Sequence, residues 1–492
     1  MRWFFIGALS VSALVASGEP VYAASAARTR AAKTKVKKRA KRPSAKRLAG
    51  RPPSAAPVAV AAAELEPLPL GEQAVYWALP RPAHPGVKVR LSPSPAATAI
   101  GEMHGGAIAV KVAGPTLQPA GLPPPLVRRG AGCRGWLGAL PDGYLCQDEV
   151  QLRPGYLSDP PQQEKATTWQ RFRYGVVKVA STVLLGATGQ PSATEAGYLR
   201  AQLHKGDGIT VVRELADRVQ IYGKAWLRKM DVALATPPAL TPINLQAVPA
   251  GQRFLVAWAV PPQGESQVAL YNPTAGSSQP LWIPRYSQLW WTDTKASSPG
   301  RVMVYLTDET RTALGSRQDT RAVAQAAAFE IDASQLRRVT PAPLPAGLQP
   351  DERWIDISLS EQVAVAYAGD SPLFAAIVST GKGATPAGSF FIYRKYLTQT
   401  MANTRGAPSQ YDYREVPYAQ FFNGRIGLHA VLWHDFLGHP VSHGCVNLSP
   451  AAAEQFFSFT KPDLPAGWHT VNGLGPAAPA VPFRGTRVVV RR

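Results

Sequence analysis

Cys445 stands in the string Ser442-His443-Gly444-Cys445-Val446-Asn447, sixteen residues after His429. Five of the eight histidines lie from His429 onward (His429, His434, His439, His443 and His469), and one of only three cysteines is among them. A thiol beside an imidazole can be held as thiolate and imidazolium, which lowers the cysteine pKa from roughly 8.5 toward neutrality or below. Nucleophile and base are the minimum set for covalent acyl transfer. Gly444 lets the backbone turn tightly, so that neighbouring N–H groups can face a developing oxyanion. Two other readings compete. A lone cysteine is more often a small buried hydrophobe, and four histidines with a cysteine within about twenty residues could ligate zinc. Asp435 is the sole acidic residue beside the histidines, which weakens the zinc reading; no metal and no cofactor is expected.

The residue string decides between them. Ser-His-Gly-Cys-Val-Asn-Leu, preceded by Gly427-Leu428-His429, resembles the signature of the L,D-transpeptidase catalytic domain of YkuD type. Further family motifs lie upstream: Trp354-Ile355-Asp356-Ile357, Ala364-Val365-Ala366-Tyr367, Val378-Ser379-Thr380-Gly381-Lys382, the turn Thr385-Pro386-Ala387-Gly388, and Val416-Pro417-Tyr418. Gly485-Thr486-Arg487-Val488-Val489-Val490 looks like the closing strand, so the resemblance spans about residues 351–492. Two positions depart from the family. Ala430 follows the first histidine where glycine is usual, but its carbonyl could still orient the imidazole. Asn447 stands where many members have arginine.

The resemblance implies a β-sandwich catalytic domain and a definite reaction. Cys445 attacks the amide between meso-diaminopimelate and D-alanine in a peptidoglycan tetrapeptide stem, with His429 as base and then proton donor. An amine takes the acyl group from the thioester; water in its place would make the protein an L,D-carboxypeptidase. Backbone N–H groups around His443, Gly444 and Cys445 would hold the oxyanion, and Ser442 and His443 would shape the turn and assist substrate binding, with Gly444 and Asn447 as further support, while His434 and His439 have no assigned role. A reading from another class is a non-catalytic cell-wall-binding scaffold, in which Cys445 would be dispensable.

The elements that must position these groups are mostly strands. A strand carries His429, and one helix follows the motif over Ala451 to Thr460, opened by Ser449 as N-cap and Pro450 in the first turn. A second helix is expected over Ala322 to Ala328. A chain of 492 residues splits into several cores. The fold class is therefore mainly β, with small modules before the catalytic domain.

Residues 72–155 carry period-two or apolar strand patterns at Val87–Leu91, Ala107–Val112 and Trp136–Leu140, and the run from Val87 to Met103 resembles bacterial SH3-like small β-barrels. Residues 156–240 repeat the style at Tyr174–Val179, Ile209–Arg213 and Tyr222–Leu227, a second SH3-like module. Residues 241–350 are a β-rich intermediate region and linker, with patterns at Phe254–Val260 and Val302–Leu306; Trp282, Trp290 and Trp291 there are expected to be core more often than sugar platforms. Cys133 and Cys146 flank the Trp136 strand and the turn Pro141-Asp142-Gly143. In an exported chain they read as a disulfide, and parity then leaves Cys445 as the free thiol.

Residues 1–23 read as a secretory signal peptide: Met1-Arg2, an apolar run shorter than the roughly 20 residues that span a bilayer, and a small-residue cut after Val21-Tyr22-Ala23. The product is expected in the periplasm or cell envelope. Residues 24–71 form a basic Ala/Pro-rich linker, with twelve Lys and Arg and no acid between Arg28 and Arg51, over half of the net charge of +21. Such a block buries nothing and is expected to be disordered. It could tether the protein to anionic envelope polymers by charge, an attraction that salt would weaken; export argues against nucleic acid as the partner.

Overall fold

The strand Arg353–Ser358 shows no alternation of burial: Trp354, Ile355, Asp356, Ile357 and Ser358 are all inside. A strand buried on both faces must separate two cores, and this one does. Its Ile355 and Ile357 enter a core shared with Phe374, Leu428, Val446 and Phe456. Its Trp354 enters a second core, with Val256, Trp258, Tyr367, Ile377 and Val431. The computed structural model describes residues 74–84, 86–104, 106–113, 123–156, 173–183, 185, 202–221, 225–273, 279–315, 328–402, 411–473 and 485–492. The expected signal peptide, the expected disordered linker and nearly all of the expected Ala322–Ala328 helix lie outside the described residues.

Two sheets make the catalytic sandwich. One runs Ile243–Asn244, Ser371–Ile377, Val363–Ala368, Arg353–Ser358, Arg487–Arg491 and Gly388–Phe391, with Arg353–Ser358 and Arg487–Arg491 parallel. Asp356 is buried in this sheet. Burial pushes its carboxyl up and Arg491 opposes that, with Nε 2.9 Å from Oδ1. The other sheet, which carries the motif, starts Val446–Leu448, Ile426–Ala430, Asp412–Asn423, Arg394–Ala402, Thr470–Asn472. The helix Pro450–Phe459 packs Ala452, Ala453, Phe456, Phe457 and Phe459 into the core between the sheets. It begins as the sequence expects, with Ser449 Oγ accepting from Ala452 N–H (3.2 Å) and Pro450 in the first turn.

The second sheet does not stop at the catalytic domain. Thr470–Asn472 pairs with Ala99–Met103 (Glu102 opposite Thr470), and the sheet continues through Val87–Arg90, Tyr144–Cys146, Trp136–Gly138 and Val127–Arg128 to ten strands. The amino-terminal module is therefore open at this edge, its strand taken up by the catalytic domain. Its remaining strands, Ile108–Val110, Ala74–Pro80 and Val150–Tyr156, form a separate three-stranded sheet. Cys133 and Cys146 are joined as a disulfide across the hairpin, with Cα atoms 5.9 Å apart.

The next module has a five-stranded sheet, in the order Trp226–Arg228, Arg218–Ile221, Gly208–Glu214, Arg173–Val177, Val232–Leu234. Another five-stranded sheet of the intermediate region contains Val256–Ala259, Gln288–Lys295 and Arg301–Leu306. Of its tryptophans, Trp290 and Trp291 pack against cores and Trp282 is 52% exposed. Val256, Trp258 and Val260 from this region cover the outer face of the catalytic sheet.

Candidate active site

The strands Ile426–Ala430 and Val446–Leu448 run parallel, with Leu428 opposite Val446, His429 opposite Asn447 and Ala430 opposite Leu448. Leu428, Ala430, Val446 and Leu448 all enter the core between the sheets. Because side chains alternate, His429 and Asn447 must face the other way, and Cys445, just before Val446, joins them. One register thus gathers thiol, imidazole and amide on one face.

The turn ahead of Cys445 is held by a set of short polar links. Ser442 Oγ accepts from Gly444 N–H (3.0 Å) and donates to Cys445 O. Thr385, from the Thr-Pro-Ala-Gly turn, accepts from Gly381 N–H (2.8 Å) and donates to Gly444 O (2.7 Å). Ser442 N–H reaches Thr380 O at 3.0 Å. Two glycines are required by geometry: Gly444 has φ +138, and a Cβ on Gly381 would lie 2.7 Å from Gly444 Cα. Of the three backbone donors expected near the cysteine, Gly444 N–H is engaged by Ser442 in this state.

His429 is buried, and its Nδ1 lies 2.9 Å from Ala430 O. A carbonyl only accepts, so Nδ1 carries the proton and Nε2 keeps its lone pair. Burial pushes the imidazole down to about 4, opposed by the Ala430 carbonyl. Burial likewise pushes the half-buried Cys445 thiol up, against the Gly427 N–H and the Arg425 charge. The sequence alone suggests a thiolate–imidazolium pair. The enclosed site instead favours neutral thiol with neutral imidazole at rest, because desolvation penalises both charges.

His434 gains a place that sequence reasoning did not assign. Its Nδ1 accepts from Phe436 N–H (3.2 Å), and its Nε2 meets the Asn447 amide at 3.0 Å. Burial, then the charge of His429, pushes it down to about 4, so the ring is neutral with its proton on Nε2. That proton needs an acceptor. The Asn447 amide is therefore read with its oxygen toward His434. His439 is elsewhere, with Nε2 2.9 Å from Pro261 O. Among the described residues, the only three-member group of potential metal ligands is Cys133, Cys146 and Asp148, not these histidines.

An aromatic wall, unforeseen from sequence, borders the site. Tyr411 lies 5.1 Å from His443 and 5.8 Å from Tyr413; Tyr413 stacks on Trp433 at 3.7 Å; Trp433 lies 5.9 Å from His429. The usable signal was the period-two spacing of Tyr411 and Tyr413.

With that geometry in view, residues 352–490 match the family model described as the L,D-transpeptidase catalytic domain, YkuD. This part of the chain belongs to that family and is a β-sandwich L,D-transpeptidase catalytic domain. Among solved structures, an L,D-transpeptidase from Stackebrandtia nassauensis is 21% identical, covering 29% of this chain and 57% of its own, at a TM-score of 0.21. The catalytic domain of the E. faecium L,D-transpeptidase is 22% identical over 29% of this chain and 98% of its own, at 0.22. The L,D-transpeptidase from Mycobacterium smegmatis is 20% identical over 42% of this chain and 99% of its own, at 0.23. No curated protein matches the chain.

Proposed function

We propose that the protein is a cysteine-dependent L,D-transpeptidase of peptidoglycan, acting on tetrapeptide stems through a thioester at Cys445. The observation that carries this reading is the strand register that sets Cys445, His429 and Asn447 on one face, with His429 Nδ1 held by Ala430 O. Nε2 is then the atom left to take a proton. The Cys445 thiol gives its proton to His429 Nε2, and sulfur attacks the carbonyl between meso-diaminopimelate and D-alanine. Backbone N–H groups at the turn stabilise the oxyanion; one such donor is typically worth about 3 kcal/mol in the transition state. The C–N bond breaks, the D-alanine amine takes the proton from His429, and the acyl group remains on sulfur. An acceptor amine then attacks the thioester, returns its proton through His429, and frees the thiol. A second stem gives a crosslink and a lysine of an envelope protein gives an anchor. Export by residues 1–23 and retention by the basic linker would bring the enzyme to this substrate.

The test is mass spectrometry of purified tetrapeptide muropeptides after incubation with the protein. Release of D-alanine with a crosslinked product is expected, and Cys445→Ala should abolish both. A carbapenem should add its mass to the native protein and not to Cys445→Ala. Full D-alanine release by Cys445→Ala would overturn the reading. Release without any amine transfer would make the protein an L,D-carboxypeptidase.

A further inference from the structure

The module of residues 173–234 meets the catalytic domain at the strand that carries the aromatic wall. The Tyr174 hydroxyl donates to the carbonyls of Arg414 (3.0 Å) and Glu415 (2.7 Å). Thr210 Oγ1 accepts from Arg414 N–H (2.9 Å) and donates to Arg414 O (3.1 Å). Tyr174 and Thr210 are both buried, so these bonds form away from water. At Gly208 the fit is closer still: a Cβ there would stand 1.7 Å from the ring of Tyr413. Only glycine lets the sheet come so near. Glu415 is held at φ +52, a left-handed conformation that a non-glycine residue adopts at a cost of about 1–3 kcal/mol and keeps only when its surroundings over-determine it.

These contacts lead directly to the catalytic histidine. Tyr413, pressed by Gly208, stacks on Trp433 with ring centres 3.7 Å apart, and Trp433 lies 5.9 Å from His429 with the two rings inclined by 28°. Tyr174 of the accessory sheet also lies 6.3 Å from Trp433, so on that route a single indole stands between the sheet and the base. We propose that the module of residues 173–234 is a positioning element of the active site, in which Tyr174, Thr210 and Gly208 fix Tyr413 and Trp433 against His429. The role of His429 as base rests on the functional reading above; the positioning of its ring does not. An accessory module that merely bound the wall would need no such contact with this strand.

The proposal is tested on the whole chain with Tyr174→Phe/Thr210→Val, which deletes the side-chain bonds to Arg414 and Glu415 while keeping shape. Tyr174→Phe alone is the milder variant, used if the double variant does not fold. Histidine spectra of protein with 15N-labelled imidazoles, with the His429 signals assigned by their loss in His429→Gln, give the tautomer at neutral pH and the titration midpoint. Other titratable groups around this ring or wall are Cys445 just before the neighbouring strand, His434 in the following loop, Tyr411 and Tyr413 on the wall, His443 beside Tyr411, Arg425 in the turn and Asp207 facing Tyr413. In the native chain His429 should be the Nδ1–H tautomer and resist protonation. Loosening the wall should mix the tautomers, raise the midpoint toward the ordinary imidazole range, and reduce D-alanine release about tenfold or more, the scale on which small misplacements act. An unchanged His429 spectrum overturns the proposal whatever happens to activity. A changed spectrum with undiminished release overturns it too. If the native chain releases no D-alanine, the functional reading fails, and the spectra still decide whether the module positions the ring.

Discussion

At the scale of residues, His429 and His434 are two enclosed imidazoles joined to the site by opposite logic. His429 donates through Nδ1 to a carbonyl, whereas His434 accepts at Nδ1 and offers Nε2 to Asn447. Both are pushed down to about 4, chiefly by burial. An unfolded histidine takes its proton near 6.5, so between those values the unfolded chain binds more protons than the folded one. Stability should therefore be complete above about pH 6.5 and fall as the solution is acidified toward 4, by up to about 3 kcal/mol for a fully buried ring. Urea unfolding at pH 7.5 and 5 measures it. His434→Gln should flatten part of this dependence, and an unchanged slope in that variant would remove His434 from the account.

At the scale of elements, the Thr385 turn and the Gly444 turn act as one piece. Thr385 Oγ1 is the single atom that both receives Gly381 N–H and gives its proton to Gly444 O. Thr385→Ala leaves two buried backbone groups unpaired, at about 1–3 kcal/mol for each one not recovered by water, and frees the turn that aims Cys445. Thr385→Ser keeps the hydroxyl and should keep most of the activity; equal losses in the two variants would point to the methyl group instead. Much of this was legible in the chain. The string Ser442 to Asn447 is contiguous, so its chemistry is carried by residue types alone, and Ser449-Pro450 announces the helix by local capping. The wall was not legible. Tyr413 reaches Trp433 only through the register of a strand at Asp412–Asn423 whose Glu415 and Tyr418 hold positive φ without being glycine. Neither feature leaves a local trace in sequence. Nor does the pairing of Ala99–Met103 with Thr470–Asn472, strands hundreds of residues apart in the chain.

At the scale of the whole molecule, that pairing makes the amino-terminal module and the catalytic domain one mechanical body. Trp468 is the residue that shows it. It lies in the catalytic segment, yet its ring enters the core of the other module with Val87, Val89, Met103, Ile108 and Leu145. Gly101 makes room for that ring, since a Cβ there would stand 2.2 Å from it, and Trp468 Nε1 donates to Leu140 O at 3.1 Å. Beside it His469 N–H reaches Glu102 O at 2.8 Å, continuing the sheet across the boundary. Trp468→Ala should cost about 3–5 kcal/mol, the range for emptying a buried aromatic site. The distribution of that loss is the informative part. Were the two domains independent, the loss would fall on the amino-terminal module, and the catalytic domain would unfold at its native midpoint. Sharing one sheet, they should instead unfold together at a lower midpoint. In thermal unfolding, far-ultraviolet circular dichroism follows the backbone of the whole chain, whereas the rate of Cys445 alkylation follows the catalytic region alone. Coincident, equally lowered transitions are expected, and an alkylation transition that stays at the native midpoint while the other falls would mean the shared sheet does not couple them.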